Sequence, residues 1–158
     1  DKMGVGKSKC DISQLVKLRD DLERFAKNDA QEFTEACAKE LAARLLARVI
    51  KRTPVGDYPA SSGKKGGTLR RGWTGGKSQS AKAYVDTLTI QYHDGIYTIE
   101  IMNPVEYAPY VEFGHRTPNH KGWVKGVFML TISEQEINEM ADRVVQKKLE
   151  KRLKEVFK

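Results

Sequence analysis

The apolar positions fall into three helical stretches and one alternating stretch, parted by a long interval without any period. Leu15, Leu18, Leu22 and Phe25 recur at steps of three and four, which puts a narrow apolar stripe on a helix over Gln14–Lys27 with Ser13 as its N-cap. Asn28-Asp29 is expected to break that run and cap the next. Phe33, Cys37, Leu41, Leu45 and Val49 then repeat at steps of four. Ala36, Ala42, Ala43, Leu46, Ala47 and Ile50 widen the face, predicting a long helix from Ala30 to about Lys51. It should stop near Thr53, because Pro54 disfavours helical geometry in the residue before it.

Residues 54–82 differ in kind. Seven of the 13 glycines lie between Gly56 and Gly76, and no apolar period survives, so this reads as a long loop with room for one short strand around Thr68–Trp73. Alternation resumes at Tyr84–Tyr92 and again at Ile96–Met102. With His93-Asp94-Gly95 as the turn, the two form a predicted hairpin that Asn103-Pro104 closes. Tyr107–Phe113 reads as a helical turn or an extended bend, and His115–Lys121 as a polar loop. Val127, Leu130, Ile137, Met140, Val144, Val145, Leu149, Leu153 and Val156 predict a last helix from about Ser133 to Phe157, with a start near Phe128 left open. Ser133 with Glu136 resembles a capping box. The expected fold is α+β, one domain over residues 1–158: two N-terminal helices and a long C-terminal helix on one face of a small antiparallel sheet, with a flexible N-terminus over 1–10.

Charge changes this picture more than composition does. The net charge is +7, and Lys51, Arg52, Lys64, Lys65, Arg70, Arg71, Lys77 and Lys82 stand against Asp57 alone between 51 and 82. That segment therefore carries the whole excess, and the rest of the chain cancels. Lys64, Lys65, Arg70, Arg71, Trp73 and Lys77 are the candidates for contact with an anionic partner, nucleic acid included. Tyr107, Tyr110, Glu112, Phe113 and Trp123 flank glycines and prolines outside the regular elements and are the candidate protein interface.

Catalytic chemistry finds little support. Gly4-Val5-Gly6-Lys7-Ser8 ends like a phosphate-binding loop but has Asp1 where the first glycine belongs, and no strand precedes it. His115, His120 and Glu112 match no common zinc spacing, and neither Cys10 nor Cys37 has a visible base partner. Cys37 reads as a small buried apolar residue and Cys10 as an exposed free thiol. No cofactor, metal, small-molecule substrate or enzyme activity is expected. No stretch approaches a membrane span, and the polar N-terminus lacks the apolar core of a signal peptide, so synthesis in the cytoplasm is expected.

Three segments in order carry a resemblance. A helix runs through Ala38-Lys39-Glu40-Leu41-Ala42-Ala43-Arg44 into Lys51-Arg52-Thr53-Pro54-Val55-Gly56. Gly67-Thr68-Leu69-Arg70-Arg71-Gly72-Trp73 comes next, then Tyr107-Ala108-Pro109-Tyr110-Val111-Glu112-Phe113-Gly114-His115. Together they resemble the tail-component family of long-tailed bacteriophages, whose members are called neck, tail-completion or minor tail proteins. The resemblance spans about residues 30–140, with a basic insertion between Gly56 and Thr68 and His115 in place of a small residue. It implies a structural virion protein at the head–tail junction or in tail completion. Implied partners are other neck and tail proteins and further copies of the chain in a ring, with contact to phage DNA open. The alternative reading is a nucleic-acid-binding module built on residues 51–82.

Overall fold

A computed structural model describes residues 13–157. The Gly4–Ser8 motif, Cys10 and the expected flexible stretch 1–10 lie outside the described residues. Helix α1 (Ser13–Arg24) passes through a π-helical turn at Phe25–Asp29 into α2 (Ala30–Arg52) without a break. This corrects the expected interruption at Asn28-Asp29. Asp29 keeps helical φ/ψ and makes no side-chain cap, so the run absorbs one wide turn and continues. The stop at Thr53 holds: its ψ is 123°, the extended geometry that Pro54 requires.

The loop is more ordered than its composition suggests. A short 3-10 turn (Ala60–Ser62) and helix α3 (Thr68–Gly72) interrupt it, and α3 replaces the expected strand at Thr68–Trp73. Tyr84–Tyr92 is likewise not a strand over most of its length, because α4 occupies Ala81–Thr87. Ser80 Oγ accepts from Ala83 N at 3.1 Å as its N-cap, and Ala81, Tyr84, Val85 and Leu88 share one inward face at steps of three and four. The same residues that read as alternation also satisfy a helical period, and the cap decides between them. What remains of the hairpin is β1 (Gln91–His93) and β2 (Ile96–Thr98), turned through Asp94 and Gly95 with φ of 49° and 81°.

Helix α5 (Ala108–Phe113) leads directly into β3 (Gly114–Arg116), which pairs antiparallel with β4 (Trp123–Lys125), and α6 (Met129–Val156) closes the chain. The fold is α+β, but its strands form two separate two-stranded hairpins rather than one sheet. The core is made by helices. Leu46 and Val49 of α2, Leu69 of α3, Val85 of α4, Ala108 of α5, Met129 of α6 and Trp73 are buried together. Each fully buried Leu, Val or Met contributes about 1.5–3 kcal/mol. Cys37 is buried as its position on the helical face implied, and desolvation pushes its thiol pKa up, which disfavours the thiolate.

Charge sets the direction of α6 against α2. Arg152 reaches Asp29 at 3.5 Å, Lys148 reaches Glu40 at 2.9 Å, and Glu136 takes Arg48 at 2.5 Å and Arg52 at 2.7 Å. Acids lie toward the start of each helix and bases toward its end, so antiparallel packing pairs unlike charges along the whole seam and parallel packing would pair like ones. The hydrogen bonds from Arg52 and Arg48 hold the Glu136 carboxyl below its ordinary range, and Lys148 does the same for Glu40 against the opposing effect of burial. Both carboxyls therefore stabilise the fold above the unfolded glutamate pKa, and that contribution is lost as pH falls through their lower folded values. The expected result is a urea midpoint that drops across and below the usual glutamate range and a flatter dependence in Glu136→Gln. An unchanged acid slope in that variant would remove this ion pair from the account.

Candidate interaction surfaces

The end of α2 and the Gly67–Trp73 segment meet around one residue, Thr53. Its buried hydroxyl donates to Val49 O at 2.7 Å and accepts from Trp73 Nε1 at 2.9 Å. Its carbonyl accepts from Arg70 Nη2 at 2.7 Å and Nε at 3.2 Å. Arg71 turns back to Gly66 O at 3.3 Å. Asn103 Nδ2 donates to Leu69 O at 2.8 Å, while its Oδ1 accepts from Val105 N at 3.1 Å, and the Asn103 side chain fills the space a Cβ on Gly72 would need. Nothing in the apolar periodicity marks Thr53 or Asn103. The one available signal was the proline that follows each.

Three expectations change here. Trp73 is 3% exposed, so it is a core residue and no platform for a base. Arg70 and Arg71 spend their guanidinium groups on backbone carbonyls that close the loop onto the end of α2. Lys64, Lys65 and Lys77 stay exposed. Lys64 stands 6.0 Å over the Tyr58 ring, and Lys65 lines a groove of about 230 Å³ together with Tyr58, Tyr107 and Val111.

Glu112 is the fourth correction. It is buried, and its carboxylate accepts from Leu130 N at 2.9 Å, Thr131 N at 2.9 Å and Thr131 Oγ1 at 2.7 Å. A residue placed in the candidate interface thus caps the first turn of α6 from across the fold. The expected capping box does not form. Ser133 lies inside the helix, fully buried, and donates to Met129 O at 2.6 Å, while Glu136 serves the seam. Phe128, at φ of 53°, turns the chain from β4 into the helix. This turn is tied to α5 by Val127 N→Val111 O at 2.8 Å and Phe128 N→Glu112 O at 3.0 Å. Gly114 is required at the junction: its φ is 88°, and a Cβ there would collide with the Val124 carbonyl.

The other interface candidates are brought to one corner. Tyr107, Tyr110 and Phe113 project from α5 at 46%, 59% and 61% exposure, and Trp123 at 62% on the adjoining hairpin, beside exposed Val124 and Val127. Tyr110 meets His115 edge-on at 6.1 Å, and Phe113 meets Phe128 at 6.3 Å. His120 sits at φ of 56° in the exposed turn of that hairpin. A second apolar surface lies elsewhere: Leu15, Val16, Leu18 and Leu22 of α1 are all exposed. No described helix is long and apolar enough to cross a membrane.

The chain matches no curated protein and no solved structure. A family pattern does match it, over residues 16–114, which is more than half of its length and runs from α1 to the end of α5. The corresponding family is described as "Bacteriophage HK97-gp10, putative tail-component", and this chain belongs to it.

Proposed function

We propose that the protein acts at the head–tail junction or in tail completion of a long-tailed phage, as a structural subunit that assembles with further copies and with neighbouring neck or tail proteins. Membership of a tail-component family supports the tail-related role. The finer reading is carried by one observation: two uncovered apolar surfaces at opposite ends of the long helix. The α1 leucines stand at its start and the Tyr110–Phe113–Trp123 corner beside its end. From Leu18 to Thr53 the helix rises roughly 50 Å at about 1.5 Å per residue. Two different surfaces on one subunit are what a head-to-tail contact needs, and such a contact closes into a ring when its rotation permits. In this reading the α1 stripe of one copy seats against the aromatic corner of the next. No turnover belongs to it, and its place is the virion after synthesis in the host cytoplasm.

Light scattering across a concentration series tests this. The expected mass rises to a defined multiple of the subunit, and both Leu18→Glu with Leu22→Glu and Phe113→Ala with Trp123→Ala hold the protein at lower mass. A monomer at every concentration, joined to failure of the unaltered protein to enter tails in a complementation assay, would overturn the proposal. Among the described residues, the alternative module on residues 51–82 is left with Lys51, Lys64, Lys65 and Lys77 as exposed cations without an ion pair.

A further inference from the structure

The cancelling of charge outside residues 51–82 holds in sum but not in space. The carboxylates facing the α2–α6 seam are engaged: Asp29 and Glu32 with Arg152, Glu40 with Lys148 and Arg44, Glu136 with Arg48 and Arg52. Beside that seam lies an open groove of about 490 Å³ lined by Arg44, Arg143, Lys147, Lys148 and Lys151, with Met140 and Val144 as its apolar lining. Glu40 is its single acid and already accepts from both Lys148 and Arg44. Arg143, Lys147 and Lys151 are exposed, and no ion pair joins them to a carboxylate among the described residues.

These three stand at i, i+4 and i+8 on one face of α6. Like charges at that spacing repel; Glu139 and Glu155 stand four residues beyond the two ends of the run, and between them an anion lying along the three cations would relieve the repulsion. The strip continues on α2 to exposed Lys51, in the adjoining groove where Glu136 already takes Arg48 and Arg52. Because the helices are antiparallel, Lys51 and Lys151 mark its two ends. Successive cations on each helix fall roughly 6 Å apart at about 1.5 Å rise per residue. A straight, rigid row of cations fits a straight, rigid polyanion.

We propose that this α2–α6 groove is a binding site for the phosphate backbone of double-stranded DNA. No aromatic side chain lines it, so it offers no stacking platform for single strands. Its polar lining is Arg and Lys around a Glu40 that is already engaged, side chains suited to phosphate oxygens. The site stands apart from the apolar surfaces assigned to assembly.

The test is fluorescence anisotropy of a labelled 20-base-pair duplex (about two helical turns) with the full chain in a potassium chloride series. The expected log–log dependence on salt has a slope of about −3 to −5, near −0.9 per phosphate contacted. Lys147→Glu with Lys151→Glu should weaken binding at least about tenfold and flatten the slope by about 2. Lys64→Glu with Lys65→Glu should leave both unchanged. Arg143→Gln with Lys147→Gln provides a milder pair, and circular dichroism confirms folding in each. No binding at low salt would overturn the proposal. So would loss of binding from the Lys64/Lys65 pair alone. Displacement of the duplex by poly-glutamate at matched charge would overturn it in favour of an acidic protein partner. Light scattering on the same variants separates this site from the assembly surfaces, since the charge variants should self-associate as the unaltered protein does.

Discussion

Glu112→Ala should lower stability by about 3 kcal/mol, read as a fall in urea midpoint without a change in slope. The buried carboxylate accepts three hydrogen bonds from the first turn of α6. Hydrogen bonds to a charged group contribute about 1.5–3 kcal/mol net, and an N-cap typically about 1. Removing the side chain strips Leu130 N and Thr131 N of their partner in a site water enters poorly. Glu112→Gln keeps the shape and one acceptor oxygen and should cost about half as much. Self-association should survive in whatever fraction of either variant is folded. Were Glu112 instead an interface residue, the stability of the monomer would hardly move and the assembled mass would collapse.

Trp73→Ala is expected to be comparably severe, about 3–5 kcal/mol, the usual range for deleting a buried large aromatic. The indole belongs to the core cluster that joins α2 to the shorter helices and α6, and its Nε1 donates to the Thr53 hydroxyl. Trp73→Phe separates the two contributions: it keeps most of the packing, loses the hydrogen bond, and should cost about 1–2 kcal/mol. The position also discriminates between functions. A tryptophan that stacks on a nucleic acid base would be exposed, and its loss would weaken DNA binding while sparing the thermal midpoint. Here the expected pattern is the reverse, and a thermal melt beside an anisotropy titration distinguishes them.

The two variants show why the most recognisable segments misdirect a search for a site. Thr53-Pro54, Gly67–Trp73 and Tyr107–Gly114 stand out because their residue types are unusual in sequence. Most of that distinctiveness serves internal bonds: Arg70 and Trp73 to Thr53, Glu112 to α6, Gly114 beneath the Val124 carbonyl. Of the large apolar side chains in these segments, Tyr107, Tyr110 and Phe113 remain turned outward. Beyond the loop lysines, uncompensated cations also lie on α6, at Arg143, Lys147 and Lys151, within ordinary charged helix surface. A count along the chain cannot find them, because which carboxylates are already engaged depends on which helices face each other.

Periodicity over many residues was enough for the long helices, since burial of one face rewards a repeat sustained over several turns. It was also enough for the stop at Thr53, where the clash with Pro54 is local. The α+β class and the tight turn at Asp94-Gly95 followed on the same grounds. Short elements were settled otherwise. Ala81–Thr87 satisfies two periods at once, and the Ser80 cap together with the inward face of Val85 selects the helix. The start of α6 depends on Glu112, which is 17 residues before Met129 in the chain and arrives only through α5 and the β3–β4 turn. Local sequence thus determined what each long segment is. Tertiary structure decided which polar groups are consumed inside the fold and which are left to meet a partner, because hydrogen bonds and ion pairs are satisfied in space and not along the chain.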